Sequence, residues 1–186
     1  MNVVSGWSSR PPIRQASSGA LDLTTKQLKS LLDAGRLGRK LPETGLKETI
    51  GFEIACGGRR ALMSRDAQDY HLLEWLNHLI RSSLGEQREF HHLKTPNLNG
   101  RHEDLGTLAG DFRQSSKELE AWSVLYYYFV RVDFDLSLQQ LAIMAATTER
   151  TLRRRQNRGL YRLLATILEL ERDLRRFGLQ VVAVGS

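Results

Sequence analysis

Residues 136–168 read LSLQQLAIMAATTERTLRRRQNRGLYRLLATIL, and their spacing predicts two helices joined by a tight turn. Ser137 precedes the first, where its hydroxyl can accept a free amide of the opening helical turn. Leu138, Leu141, Ala142 and Ala145 then recur on one helical face. Ala146-Thr147 supplies the turn, Thr148 caps the second helix, and Glu149 lies beside its positive end. Helices joined by so short a connection meet at a steep angle, and the small residues Ala142, Ala145 and Ala146 let them approach. The first helix then supports the second, whose initial turns project outward. A helix so projected fits the major groove of duplex DNA, about 12 Å wide.

The second helix divides by face. At about 100° per residue, Leu152, Gln156, Gly159, Leu160, Leu163, Ile167, Leu170 and Leu174 share a broad inner stripe. Arg150, Arg154 and Arg158 lie opposite it, with Arg155 and Arg162 on one flank and Arg153 on the other. Residues 148–162 hold six arginines, one glutamate and no lysine, a local balance of +5. An ordinary solvated helix face mixes both signs at i,i+4 spacing. Residues 169–176 (ELERDLRR) do so and read as solvated or as a partner contact; residues 150–162 do not. A guanidinium offers a planar fork to phosphate or to the O6/N7 edge of guanine. Arg150, Arg153 and Arg154 are therefore placed against base edges or their neighbouring phosphates. Thr148, Arg155, Arg158 and Arg162 are placed on phosphates, contacts that position without specifying. Glu149 either accepts from a cytosine amino group or only complements the helix dipole, the latter being the simpler role.

Upstream, KELEAWSVLYYYFVR (117–131) places Leu119, Trp122, Val124, Leu125, Tyr128 and Phe129 for a buried scaffold helix. Consecutive helical residues point in different directions, so Tyr126, Tyr127 and Tyr128 do not form one stacking platform and are expected in the core. Earlier helices are expected at about 25–34, capped by Thr24 and stopped by Gly35, and at about 44–56, ended by Gly57-Gly58. The connector between them, RLGRKLPE (36–43), is basic. A longer helix opens at Ser64 and is expected to stop at Gly85. Strand-like alternation is nearly absent and no internal repeat is found. The expected architecture is all-α, a helical bundle with a C-terminal helix-turn-helix. Its parts are a disordered tail (1–20), an N-terminal helical subdomain (21–85), a linker with a helical turn near Leu105 to Phe112 (86–115), the helix-turn-helix domain (116–176) and a tail (177–186).

The 186 residues carry 27 Lys+Arg against 21 Asp+Glu, a net +6 and a pI near 9.8, which favours a polyanionic partner. Cys56 is the sole cysteine, so an intramolecular disulfide is excluded and a reducing, cytoplasmic setting is expected. The amino terminus shows no signal-peptide pattern, and apolar runs such as Val124–Val130 are far too short for a membrane span. His71, His78, His91, His92, His102 and Cys56 lack the spacing of a zinc site, so no metal is expected. Gly57-Gly58-Arg59-Arg60 lacks the Lys-Ser/Thr ending of a phosphate loop and is a helix stop with two basic residues able to touch a DNA backbone. No catalytic constellation stands out, so neither an enzyme nor a cofactor is expected.

Residues 136–168, preceded by ELEAWSVLYYYFVRVDFD, resemble the helix-turn-helix of sigma factor region four and its bacterial relatives. They are also similar to helix-turn-helix modules of some bacterial signalling ATPases, where SERTLRR-type recognition helices recur. Ser137, Leu141, Ala142, Thr148 and Leu152 match the motif position by position. Ala146 stands where Gly is usual, Thr147 where Val or Ile is usual, Asp135 near a common Gly, and Arg155 where the family is often apolar. The resemblance covers residues 116–176, a third of the chain. It implies base reading by Glu149, Arg150 and Arg154 and phosphate contacts by Thr148, Arg153 and Arg158. The expected function is a sequence-specific, double-stranded DNA-binding transcriptional regulator that inserts helix 149–162 into the major groove; its long carboxy-terminal helix permits a homodimer. The alternative is an adaptor module for a protein partner such as an RNA polymerase subunit or a signalling ATPase. There Leu163, Leu164, Ile167, Leu168, Leu170 and Leu174 would carry the contact.

Overall fold

Every residue from Leu119 to Tyr127 is buried, so the helix holding them is wrapped on all sides, and the rest of the chain is arranged around it. The computed structural model describes residues 22–94 and 105–184, with side chains described over 22–94 and 106–176. The described residues are helical, with no strand among them. In chain order the helices are α1 (Thr25–Arg36), α2 (Ile50–Ala55), α3 (Arg65–Phe90), α4 (Leu105–Arg113), α5 (Lys117–Leu125), α6 (Leu138–Met144) and α7 (Glu149–Val184). The tail expected at 1–20 lies outside the described residues.

The 36-residue α7 is about 54 Å long at 1.5 Å per residue, and its inner stripe seats the bundle. Leu152, Gln156, Gly159, Leu160, Leu163 and Ile167 are buried, while Leu170 and Leu174 are half-buried. Helix α5 lies along this stripe, α6 packs at its start with α1 beside it, and α2 packs further along at Leu170 and Glu171. Helix α3 covers another side of α5 with Leu72, Trp75, Leu76, Ile80 and Leu84. One hydrophobic cluster takes in Leu28, Leu31 and Leu32 of α1 as well as Leu160 and Leu163 of α7. The segments 21–85 and 116–176 thus contribute to a common core.

Gly159 sets the separation of α5 and α7. A Cβ there would lie 2.8 Å from the Ala121 carbonyl oxygen and 2.7 Å from Leu125 Cγ, well inside van der Waals contact. The missing side chain is what lets the α5 backbone come so close.

Several expected boundaries move. Helix α1 runs past Gly35, whose bare backbone leaves room for Leu73, and closes at Gly38, which is left-handed (φ 61°). The segment 44–56 divides into a 3-10 turn (Gly45–Glu48) and α2, because Thr49 is extended and caps α2 by accepting the Phe52 N–H. Helix α3 does not stop at Gly85 but continues to Phe90. A glycine inside a helix costs only about 1 kcal/mol, which the packing of Leu84 and Arg88 outweighs. The expected linker contains α4, held by a buried ion pair. Arg88 Nε and Nη2 donate to Asp111 at 3.0 and 2.7 Å, and Ser123 Oγ donates to the same carboxylate at 2.6 Å. Burial pushes the Arg88 guanidinium down, but the bonds and charge of Asp111 outweigh it and leave the pKa raised. The tail expected from 177 is helical to Val184.

After α5 the helix widens into a π turn (Tyr126–Val130), closed by Arg131 N–H to the Tyr126 carbonyl at 2.9 Å. Tyr126 and Tyr127 are buried and Tyr128 is half-buried, so the three tyrosines pack the interior. Arg131 then turns the chain: its guanidinium bonds both oxygens of Asp133 at 2.9 Å and lies 4.0 Å over the Phe134 ring.

Candidate nucleic-acid interface

The α6–α7 junction is built from local rules. Ser137 accepts the Gln140 N–H at 3.2 Å while Gln140 Oε1 accepts the Ser137 N–H at 2.8 Å, a reciprocal capping box. At the other end of α6, Thr147 N–H donates to the Ala142 carbonyl at 2.9 Å and Ala146 N–H to that of Ile143 at 3.1 Å. These are the two bonds of a Schellman closure, whose left-handed residue is usually glycine. Ala146 occupies that place with φ 49°. Asp135, the other position near a common glycine of the resembled family, is also left-handed at φ 46°. Both departures keep the backbone that glycine would favour. Thr148 Oγ1 accepts the Thr151 N–H at 3.2 Å and starts α7. Leu138, Leu141, Ala142 and Ala145 are buried against Leu152, as their spacing requires.

The structure sorts the arginines into two groups. Arg150 and Arg154 are exposed and pair with no carboxylate among the described residues; Arg153 is exposed and bound to Glu149 one turn back. The other three face α5. Arg155 is half-buried and its Nε is held by Glu120, itself buried. Arg158 Nη2 lies 3.0 Å and Arg162 Nε 2.6 Å from the two oxygens of a single carboxylate, Glu118. Glu118 and Glu120 therefore bring the local balance of +5 down to +3. The phosphate role expected of Arg155 does not fit this geometry. With a buried carboxylate beside it, its fork ties α7 to α5, and removing it from Glu120 would strand a charge in the interior. Arg158 and Arg162 remain at the surface, each sharing Glu118.

Two residues not singled out in the sequence join the open side. Asn157 and Tyr161 are exposed, Tyr161 at 65%, and at about 100° per residue both fall within one stripe with Arg150 and Arg154. The helical count alone identifies them, but neither carries a charge to mark it out among the arginines. Asn can bond the N6/N7 edge of adenine, and arginine the O6/N7 edge of guanine. The stripe thus presents two unpaired forks, an amide and a ring along about three turns.

Outside it, the other candidates disperse. Arg60 is taken up by Glu53 at 2.9 Å and Glu48 at 3.1 Å, leaving Arg59 exposed. Cys56 is buried, and burial together with Glu53 raises its thiol pKa. Among the described residues no three His, Cys, Asp or Glu gather as a metal-holding group, and no helix is long and apolar enough to cross a membrane. The apolar set weighed for a protein partner is largely consumed internally: Leu163 and Ile167 are buried, Leu164, Leu170 and Leu174 are half-buried, and Leu168 alone of the six is exposed. Glu171, expected on a solvated face, is buried, and its Oε2 accepts the Ile50 N–H at 2.8 Å and the Gly51 N–H at 3.3 Å, capping α2. Searches of protein-family models, of curated proteins and of solved structures found no match to this chain.

Proposed function

We propose that this chain binds double-stranded DNA as a transcriptional regulator, with α6, the turn at Ala146 and α7 acting as a helix-turn-helix. One observation carries the reading. On the first turns of α7, Arg150 and Arg154 are exposed with no carboxylate partner among the described residues, on one stripe with Asn157 and Tyr161, while the remaining arginines of the stretch are tied to glutamates. An unpaired guanidinium row on an open helix face repels itself in isolation; a polyanion relieves that repulsion and releases counterions in exchange. The junction supports the same reading, since the Ala146 closure sets α7 directly after α6, and the initial turns are seated by Leu152 and Gln156 with the Arg150 and Arg154 face left exposed. In this arrangement Arg150, Arg153, Arg154 and Asn157 meet base edges and adjoining phosphates, Glu149 holds Arg153, and Thr148 starts the helix.

The test is a fluorescence anisotropy titration of labelled duplexes between about 50 and 200 mM salt, followed by sequencing of duplexes retained from a random pool. Binding should weaken steeply with salt, by about 0.9 in log–log slope per phosphate contacted. Arg150→Ala and Arg154→Ala should each narrow the difference between selected and random duplexes, by about 1–3 kcal/mol where the arginine bonds a base edge with both arms of its fork. Salt-indifferent binding, or unchanged discrimination in the double variant, would reject the proposal.

A further inference from the structure

The first turn of α7 does not stand alone at the surface. A depression of about 430 Å³ beside it is lined by Glu149 and Arg153 on one side and by Lys29 and Arg36 of α1 on the other. Lys29 also lines a second groove, of about 450 Å³, whose rim carries Lys26, Arg39 and Lys40. The two depressions therefore meet at Lys29, and a cationic surface runs from the start of α7 across α1 onto the connector after it. Its carboxylates are already engaged. Asp33 pairs with Lys29 and Glu149 with Arg153, while Asp135 is fully exposed and lies 4.0 Å from Arg36, at the outer limit of a pair. Arg36 in turn donates to the Leu136 carbonyl at 2.9 Å and covers the Tyr128 ring, which fastens α1 to the connector leading into α6. Lys26, Arg39 and Lys40 are exposed and pair with no carboxylate among the described residues.

We propose that Lys26, Arg39 and Lys40 form a second contact surface for the same duplex, gripping the phosphate strand that borders the groove entered by α7. This rests on the DNA-binding reading above. The groove is about 12 Å wide, so charges one depression beyond the first turn of an inserted helix, joined to it through Lys29, fall on the side of the bordering strand. The Arg36 anchor keeps α1 in fixed relation to α6, so the backbone that carries Lys26 is ordered relative to α7 before any contact, and only the side chains remain to be fixed. Two of the three are lysines, which suit point contacts to phosphate rather than forked contacts to bases; Arg39 can bond phosphate with its fork. The contacts set register and affinity and leave sequence preference to α7.

The experiment uses the full chain with Lys26, Arg39 and Lys40 all changed to alanine, and a second variant with Lys26→Arg and Lys40→Arg. Readouts are the salt slope on a random duplex, hydroxyl-radical footprinting of the backbone, and protection of guanine N7 on a selected duplex. The salt slope of the triple variant should fall by about two to three units, about 0.9 for each phosphate released, and its affinity at 0.1 M salt by about eightfold per phosphate. Backbone protection beside the site should disappear while N7 protection stays, and the arginine variant should behave as wild type. A wild-type chain with no salt-dependent duplex binding rejects the DNA reading and this inference together. Wild-type binding with an unchanged slope and footprint in the triple variant rejects the inference alone. A triple variant that keeps its slope on DNA but no longer associates with poly-glutamate also rejects it, and reassigns the surface to an acidic protein.

Discussion

Removing the charge of Glu118 should move stability and DNA affinity in opposite directions. In the folded chain its two oxygens lie 3.0 Å from Arg158 Nη2 and 2.6 Å from Arg162 Nε. The arginine side chains are 43% and 47% exposed, and that of Glu118 is 24% exposed. Solvent screening at that exposure holds each pair to at most about 1 kcal/mol. Glutamine keeps the shape and one acceptor, so Glu118→Gln should cost no more than about 2 kcal/mol for the two pairs together, a drop in Tm of at most about 4–8 °C. Toward DNA the sign reverses. A carboxylate about 8 Å from a phosphate repels it by about 0.5 kcal/mol in water without salt and by about half that at 0.1 M, so its removal gains up to about twofold from this term. Each freed guanidinium that finds a phosphate adds about 0.9 to the salt slope, up to about 1.8 for both. The assay pairs thermal denaturation with anisotropy titration of Glu118→Gln and of Glu118→Gln combined with Arg158→Ala and Arg162→Ala. The single variant should bind random duplex more tightly with a steeper slope, and the combined variant should forfeit that gain. A slope that does not change, or a combined variant that binds as tightly as the single one, would refute the view that Glu118 restrains these arginines from DNA.

Three further outcomes follow from the packing. Gly159→Ala should destabilise the chain by about 1–3 kcal/mol through overpacking, because the new methyl meets the Ala121 carbonyl oxygen at 2.8 Å. Helix propensity alone predicts a gain of about 1 kcal/mol, so a raised Tm would show that α5 and α7 part easily. Ala146→Gly should stabilise by about 0.5–1 kcal/mol: it relieves a left-handed alanine at φ 49°, costing about 1–2 kcal/mol, against the greater chain entropy of glycine; urea denaturation showing a decrease would contradict the Schellman closure. Asp111→Ala should cost about 3–5 kcal/mol by stranding Arg88, whose side chain is 1% exposed. Arg88→Met with Asp111→Leu should recover most of it in thermal denaturation, and equal destabilisation in both variants would count against a buried charge as the cause.

The helices that could be read from the sequence are those whose signals are local. Ser137, Thr148 and Ser64 each place a cap within three residues of the amide they satisfy, and the inner stripe of α7 follows from a fixed angle per residue. The stops were less legible because glycine has two uses. Gly38 ends α1 through its left-handed backbone, whereas Gly35 leaves room for Leu73 and Gly159 leaves room for α5. The three look alike in a sequence, and only the neighbour that occupies the missing side chain tells them apart. The reverse case is His92, which is left-handed at φ 54° just beyond α3 with none of the usual composition of a stop.

The candidate site was legible in position and not in charge. A run of arginines can be counted along the chain, but what neutralises it comes from 35 to 44 residues away, where Glu118 and Glu120 stand on a different helix. Counting along the sequence therefore overstates the positive face of α7 on its α5 flank. It also misses the face at α1: the connector reads as basic, but nothing in the spacing joins Arg39 and Lys40 to Lys26 and Lys29 of α1, which come together only through the fold. The net effect of folding is to move the free positive charge away from the middle of α7. It gathers toward the first turns of α7 and the adjoining helix, the part that would enter a groove first in the proposed binding mode. A polyanion that ran along the whole rod would have no use for that shift, since Glu118 would oppose it midway. A duplex met end-on by α7 would meet the uncompensated charge and little of the carboxylate, and Glu118→Gln is expected to reduce this asymmetry, leaving only the Glu120–Arg155 pair on that flank.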